Sequence, residues 1–294
     1  MPHPVIFDRT LLRARRARAA ASGPATFLID RVADDMAGRL SAVLRSFDIA
    51  VDLGTPTDAV RRALAGRVGT VVAADPLAGS REPNVVSADE EALPFRDGSL
   101  DLVVSALALQ FVNDLPGTLV QIRRALKPDG LFLAAMVGGE SLTELREAFA
   151  QAESETEGGV SPRVAPFADL RDLGALLQRA GFALPVTDID RVTVRYATPL
   201  ALMHDLRRMG AANALTERRR LPLRRATLRR LFEIYAARFA DPDGRIRATF
   251  EIVWLSGWAP HESQQKPLRP GSAKTRLSDA LHTVEISTGE KPGG

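Results

Sequence analysis

A chain of 294 residues with 45% hydrophobic but only 5% aromatic composition can bury one sizeable core, and the absence of cysteine excludes disulfides, thiolate metal sites and cysteine-ligated iron–sulfur clusters. The net charge of +3 hides an uneven placing of arginine: clusters at Arg9 to Ser22 and Glu217 to Phe232 suit acidic or anionic partners, yet lack the interleaved aromatics of a nucleic-acid surface. No apolar run reaches the roughly 20 residues of a membrane span and no secretory signal is evident, so a cytoplasmic protein is expected, without nucleic acid and with at most peripheral membrane association.

Residues 1–46 read as a helical lead-in. Its arginine cluster is acid-poor like a transit peptide, but Asp8 and its shortness speak against that, and the plain reading is a solvated helix face. Phe27, Val32, Met36, Leu40 and Leu44 then recur at helical intervals, which predicts an amphipathic helix over 24–46 packed on a sheet. From Phe47 short apolar runs alternate with helical stretches: DIAVDLG, TDAVRRALAG, TVVAADP, NVVSAD, LDLVVSALAL, LPGTLVQIRRALKPDG, LFLAAMVGG and ESLTELREAFAQAE. This order predicts an α/β fold, a doubly wound parallel sheet covered on both faces. Pro128 and Gly130 should stop a helix before a strand at Leu131 to Val137.

After Glu157, GGVSPRVAPF reads as a mobile cover. A helix at Asp169 to Ala180 leads to the strand ALPVTDIDRVTVRY, and RIRATFEIVWLSGW, Arg245 to Trp258, forms another. Between these strands two helical segments, about 199–240, read as an insertion over the strands' carboxyl ends. The domain is thus drawn at 47–258. Residues 259–294 read as an extended or disordered tail, anchored through Trp258 and offering Lys266 and Arg269 to a partner.

In an open parallel sheet the ligand sits beyond the strands' carboxyl ends. Asp52, Asp75 and Asp89 all fall at such ends, and Asp75, about 20 residues after the glycine turn, is placed to accept from both ribose hydroxyls. Asp89 could accept from an adenine amino group. Singly, such residues also serve as helix caps and turn formers. Ser105, Gln110 and Asn113, after the fourth strand, could meet a substrate or act as turn polars, and His204 could do so from the insertion or pack there.

The series Asp52-Leu53-Gly54, Asp75, Asp89-Glu90 and LPFRDGSLDLVVSALALQFVNDLPGTLVQIRRALKPDGLFLAAM resembles the class I S-adenosylmethionine-dependent methyltransferase fold over about 47–136. FDRTLLRARRARAA, MHDLRRMGAANAL and GWAPHESQQKPLRPGSA resemble the branch of the respiratory complex I assembly factor 5 and its alphaproteobacterial relatives. The resemblance implies a seven-stranded, Rossmann-like sheet with a helical insertion before the last strand, and S-adenosylmethionine as cofactor. It assigns Asp52, Gly54, Asp75, Asp89, Glu90 and Ser105 to the cofactor, and Gln110, Asn113 and His204 to the substrate. The mitochondrial member of the branch is understood to hydroxylate an arginine of a complex I subunit, which implies a protein substrate. ALQFVNDL also resembles the malonyl carrier-protein methyltransferases, so a carrier-bound acid or small molecule is the alternative substrate, and a chaperone without turnover is a third reading.

The turn itself departs from the fold's pattern. Where glycines are expected stand Pro56, which has no N–H to give, and Asp58, a helix-capping carboxylate expected to face the cofactor's own carboxylate. No catalytic residue and no metal site is assigned. His3, His204, His261 and His282 are dispersed, whereas a mononuclear iron centre asks for two histidines and a carboxylate.

Overall fold

The computed structural model describes residues 4–77, 83–265, 272 and 275–284, in two units, Met1–Pro260 and His261–Gly294. In the first unit the apolar runs become β1 (Ile49–Leu53), β2 (Thr70–Ala74), β3 (Val85–Val86), β4 (Leu100–Ala106), β5 (Leu126–Val137), β6 (Ala183–Tyr196) and β7 (Ile246–Trp258). Among the described residues they form one seven-stranded sheet in the order β3-β2-β1-β4-β5-β7-β6. β1 and β4 are buried along nearly their whole length, as continuous apolar strands covered on both faces must be, while β6 alternates between half-buried and exposed residues, as an edge strand does.

The strands from β3 to β5 are parallel, as the sequence predicts, but β7 runs antiparallel to both β5 and β6. β6 ends where β7 begins, Tyr196 pairing with Ile246, so the chain enters β7 from the end at which it left β6. A second difference concerns Lys127 to Gly130, expected to separate helix from strand. β5 already begins at Leu126, which pairs with Leu100, and the next pair is Leu102 with Leu131, so the intervening residues bulge out and Asp129 takes φ of 65°.

The helices of this unit are α1 (Arg9–Ala21), α2 (Phe27–Ser41), α3 (Ala59–Ala63), α4 (Leu115–Ala125), α5 (Thr143–Glu157), α6 (Leu170–Arg179), α7 (Pro199–Arg208) and α8 (Arg225–Phe239), of which all but α1 pack into the clusters on the two faces of the sheet. One face packs α2, α5 and α8 through Met36, Leu145 and Tyr235; the other packs α4 and α6 through Leu119 and Leu177. Burial raises the Tyr235 phenol above its ordinary range, and its hydroxyl donates to the Arg247 carbonyl at 2.9 Å. No helix among the described residues is long and apolar enough to cross a membrane.

The segment expected as a mobile cover is tied down. The amide of Ser161 donates to the buried Glu153 at 2.7 Å, Arg163 pairs with the same carboxylate, and the Asn213 side chain donates to the Pro162 carbonyl at 2.7 Å. The expected tail begins later than Ala259, because Ala259 is buried and bonded to Asp129 and Gly130 through its carbonyl and amide. Trp254 is buried with Arg39 over its ring at 4.3 Å, and Trp258, half-buried in β7, has Arg45 over its ring at 5.8 Å. In the second unit a turn holds His261 Nδ1 2.7 Å from Ser263 Oγ, and a short helix α9 (Leu277–Ala280) follows. Lys266 and Arg269 lie outside the described residues.

Helix α1 makes the least expected contact of the fold. Asp8 caps it, accepting from the Leu11 amide, and the Asp8 amide donates to Ala214. Phe7 meets Phe111 edge to face at 5.6 Å, and the Asn113 side chain accepts from the amides of Ile6 and Phe7. Gly210, just past α7 with φ of +69°, lets the Arg16 backbone approach, since a Cβ there would lie 3.0 Å from Arg16 Cα. Gly210→Ala should lower the free energy of unfolding by about 1–3 kcal/mol, through positive φ and lost clearance together. Gly158→Ala, also at positive φ but with open space around it, should cost less in the same denaturant titration, and equal losses would show that α1 does not press on Gly210.

Candidate functional site

The site forms where the carboxyl ends of β1, β2, β3 and β4 meet α1. β1 delivers Asp52, buried at 2% exposure; its carboxylate accepts from the Thr55 hydroxyl, and Thr55 Oγ1 in turn accepts from the Ala106 amide at 3.1 Å. Burial pushes the Asp52 carboxyl up to about 7, against the opposing Thr55 hydrogen bond. Gly54 follows at φ of +69°, its amide donating to the Ala74 carbonyl at 2.8 Å. A Cβ on Gly54 would stand 2.6 Å from Glu90 Oε1, so the Glu90 side chain lies directly against the glycine turn.

Asp75, at the end of β2, accepts from the Leu77 amide at 2.7 Å. Asp89 meets Arg9 Nη1 at 2.8 Å and also pairs with Arg13. Burial acting alone would raise the Asp89 carboxyl, but the Glu91 amide and the two guanidiniums outweigh it and hold it below its ordinary value. The buried Glu90 pairs with Arg9 and lies 3.5 Å from Arg16 Nη1. Arg16 is itself only 7% exposed; burial lowers its affinity for the proton, and the charges of Glu90 and Asp75 oppose that shift. The N-terminal arginines are therefore a clasp on strand-end acids, where the sequence reading expected a solvated face.

Below the clasp lies a cavity of about 100 Å³ that opens to solvent, lined by Arg16, Pro56, Leu107, Gln110, Phe167 and Met209 among mostly apolar neighbours. Leu107 and Leu142 line it in left-handed conformations, φ 52° and 56°, which for leucine store strain of about 1–3 kcal/mol each. The insertion closes one side through Leu206, Met209 and Gly210.

The expected site residues divide accordingly. Asp52, Gly54, Asp75, Asp89 and Glu90 converge on the strand ends, and Gln110 lines the cavity. Ser105 is fully buried and donates to the Leu53 carbonyl at 2.7 Å, which ties β4 to β1 rather than reaching a ligand. Asn113 is taken up by the backbone of residues 6 and 7, and His204 is exposed on α7, so neither is turned to a substrate in the cavity. Asp58 points outward to Arg62 one helical turn on, and the Ala59 amide is met by the Thr57 hydroxyl at 3.3 Å. Its expected cap and its expected repulsion of a cofactor carboxylate both give way to that surface pair. Arg16, Leu107 and Phe167 were not anticipated, although Arg9, Arg13 and Arg16 share a helical spacing visible in the sequence. Among the described residues no group of three His, Asp or Glu is arranged to hold a metal ion.

Two measurements test this electrostatic picture. Folded Asp52 holds its proton between its ordinary 3.8 and about 7, where the unfolded chain releases it, so its contribution to stability falls as pH rises through that window and is level above it. Asp52→Asn should therefore flatten the decline of Tm between about pH 4 and about pH 7; parallel curves for variant and parent would refute the assignment. Glu90→Gln leaves the buried Arg16 without a paired carboxylate, while Arg9 keeps Asp89 and Glu91, and should cost about 3–5 kcal/mol in denaturant unfolding, far more than the exposed-pair change Asp58→Asn.

The sequence match to the methyltransferase domain family covers residues 51–134, the part of the sheet from β1 to β5. Over a longer span the chain is 39% identical to the arginine-hydroxylase NDUFAF5, mitochondrial, of Danio rerio across 93% of this chain and 89% of that protein, and 41% identical to the Homo sapiens protein across 93% and 83%. It is 34% identical to a malonyl-[acyl-carrier protein] O-methyltransferase of Laribacter hongkongensis across 90% of this chain and 94% of that one. Among solved structures, the [4+2]-cyclase SpnF superposes with a TM-score of 0.51 at 16% identity, covering 88% of this chain and 98% of SpnF, and YcgJ of Bacillus subtilis with 0.51 at 16%, covering 77% and 99%. With strand order, terminal antiparallel strand and similarity through α1 and the insertion all in agreement, the chain belongs to the class I S-adenosylmethionine-dependent methyltransferase superfamily, in the branch of the arginine-hydroxylase NDUFAF5 proteins.

Proposed function

We propose that this protein is a cytoplasmic S-adenosylmethionine-binding enzyme that modifies an arginine of a protein substrate, a respiratory complex I subunit, during assembly of that complex. The observation that carries the reading is where the similarity lies. The methyltransferase domain match stops at residue 134, yet the Mus musculus and Rattus norvegicus NDUFAF5 relatives remain 39% identical over 97% of the chain, which takes in the segments that wall the cavity, α1 and the insertion.

The residues present fit the cofactor at the turn and at β2. Gly54 holds the positive φ that a close backbone approach requires, and Asp75, just past β2 and engaged by the Leu77 amide through one oxygen, is the carboxylate this reading gives to the ribose. Asp89 is engaged by Arg9 and Arg13 and would have to share its carboxylate with an adenine amino group, while Glu90 would have to turn from Gly54. When bound, the cofactor supplies an electrophilic methyl group on a sulfonium. The chain's own contribution is to enclose the site and exclude water, since transfer from a sulfonium needs chiefly proximity and alignment.

The second reading, methylation of a carrier-bound acid, draws support from the Laribacter relative and from the cavity's apolar walls, which suit an acyl chain. Calorimetry with S-adenosylmethionine, combined with mass spectrometry of complex I subunits and acyl carrier protein from a deletion strain, separates the readings. Loss of one methyl group or of one oxygen from a subunit arginine in the deletion strain supports the first reading, the methyl by transfer from the sulfonium and the oxygen only with a separate oxidant, and loss of a methyl ester on the carrier supports the second. Asp75→Ala should weaken cofactor binding by about 1–3 kcal/mol. No binding of S-adenosylmethionine or its demethylated product by the parent, with complex I unchanged in the deletion strain, would refute both.

A further inference from the structure

Most of the cavity lining is apolar; of its polar side chains, Arg16, Thr57, Gln110 and Arg208, two present a buried atom with an unmet hydrogen-bonding need, whereas Arg208 donates to the Gly23 carbonyl at 2.8 Å. Arg16 is 7% exposed; Nη1 lies 3.5 Å from Glu90 Oε1, the guanidinium stands 5.6 Å from the centre of the Phe111 ring, and Nη2 has no partner among the described residues. Gln110 is 8% exposed; its Nε2 donates to the Leu107 carbonyl at 2.8 Å, which orients the amide and leaves Oε1 as the acceptor, also without a partner. Both residues line the same cavity. A buried donor and a buried acceptor left unpaired are costly, so the pair describes a ligand by complement: an anionic acceptor for Nη2 and a donor for Oε1.

An α-amino acid group, with carboxylate and ammonium on one carbon, offers both. Pro56 lines the same cavity: it carries no amide hydrogen, so the turn after β1 lacks at that position the backbone donor with which a glycine could hold a carboxylate. Arg16 supplies a charged donor in its stead.

We propose that Arg16 and Gln110 bind the amino-acid end of S-adenosylmethionine, Arg16 taking the carboxylate and Gln110 the ammonium, so that α1 is part of the cofactor site. The inference rests on the cofactor reading given above. It also gives the clasp a purpose: Asp8, Arg9, Arg13 and Gly210 hold α1 where Arg16 reaches the cavity.

Calorimetry on the full chain tests it with three ligands: S-adenosylmethionine, its decarboxylated analogue, which keeps the ammonium, and methylthioadenosine, which lacks the amino-acid end. The parent should bind the first about tenfold more tightly than the second, the ratio that loss of one charged hydrogen bond implies. Arg16→Met should erase that preference while leaving methylthioadenosine within about twofold, Arg16→Lys should restore part of it, and Gln110→Leu should weaken both ammonium-bearing ligands but not methylthioadenosine. If Arg16→Met fails to fold, the parent's own discrimination and the lysine variant decide. A parent that binds all three ligands equally overturns the inference and leaves the cofactor reading standing, whereas a parent that binds none overturns both.

Discussion

The structure depends on how arginines inside the N-terminal helix are neutralised. Arg16 and Arg9 are withdrawn from water, and a guanidinium so placed is tolerable only where carboxylates meet it in good geometry. Those carboxylates, Asp89 and Glu90, stand just beyond β3 at the carboxyl edge of the sheet, so satisfying the arginines draws α1 across the strand ends. Once it lies there, Phe7 reaches Phe111, Asn113 receives the amides of residues 6 and 7, and Gly210 clears the Arg16 backbone. Such pairs add little net stability when compared with an apolar isostere, but breaking one is expensive, so their main effect is to fix position.

The same clasp changes how the glycine-poor turn is to be understood. Glu90 rests against Gly54, the place where an open turn would receive a cofactor, and its charge is shared with Arg9 and Arg16. A cofactor received at that turn would have to share this carboxylate with the arginines. Asp58, which looked like an electrostatic obstacle, is turned to the surface by Arg62, and Pro56 contributes an apolar wall while withholding a donor. The turn is adapted to a neighbour that approaches from outside the sheet, and the strained backbones of Leu107 and Leu142 lie around the same space.

An apolar cavity roofed by charged residues also bears on the chemistry. Burial pushes the Asp52 carboxyl up to about 7 and it accepts from Thr55, so it carries only part of its charge at neutral pH, while Arg16 presents positive charge to the cavity. That field suits an anionic group within the cavity. An arginine substrate would need its guanidinium met by Glu90 or Asp75, the acids that Arg16 now faces.

By itself the sequence determined the elements whose signals are local. The Val- and Leu-rich runs, the helical spacing of Val32, Met36 and Leu40, and the acids closing β1, β2 and β3 could be read because strand alternation, helix period and turn chemistry act within a few residues. Only the tertiary structure decided the direction of β7, which follows from where the preceding helices deliver the chain, and the start of β5 at Leu126, which its pairing with Leu100 imposes. It alone turned a basic helix into a roof. Arg13 and its partner Asp89 are 76 positions apart, and no periodicity within the helix reveals that the face it presents will meet acids rather than water. Burial of charge depends on what else arrives at the same point in space, and that is settled by the folding of the whole sheet.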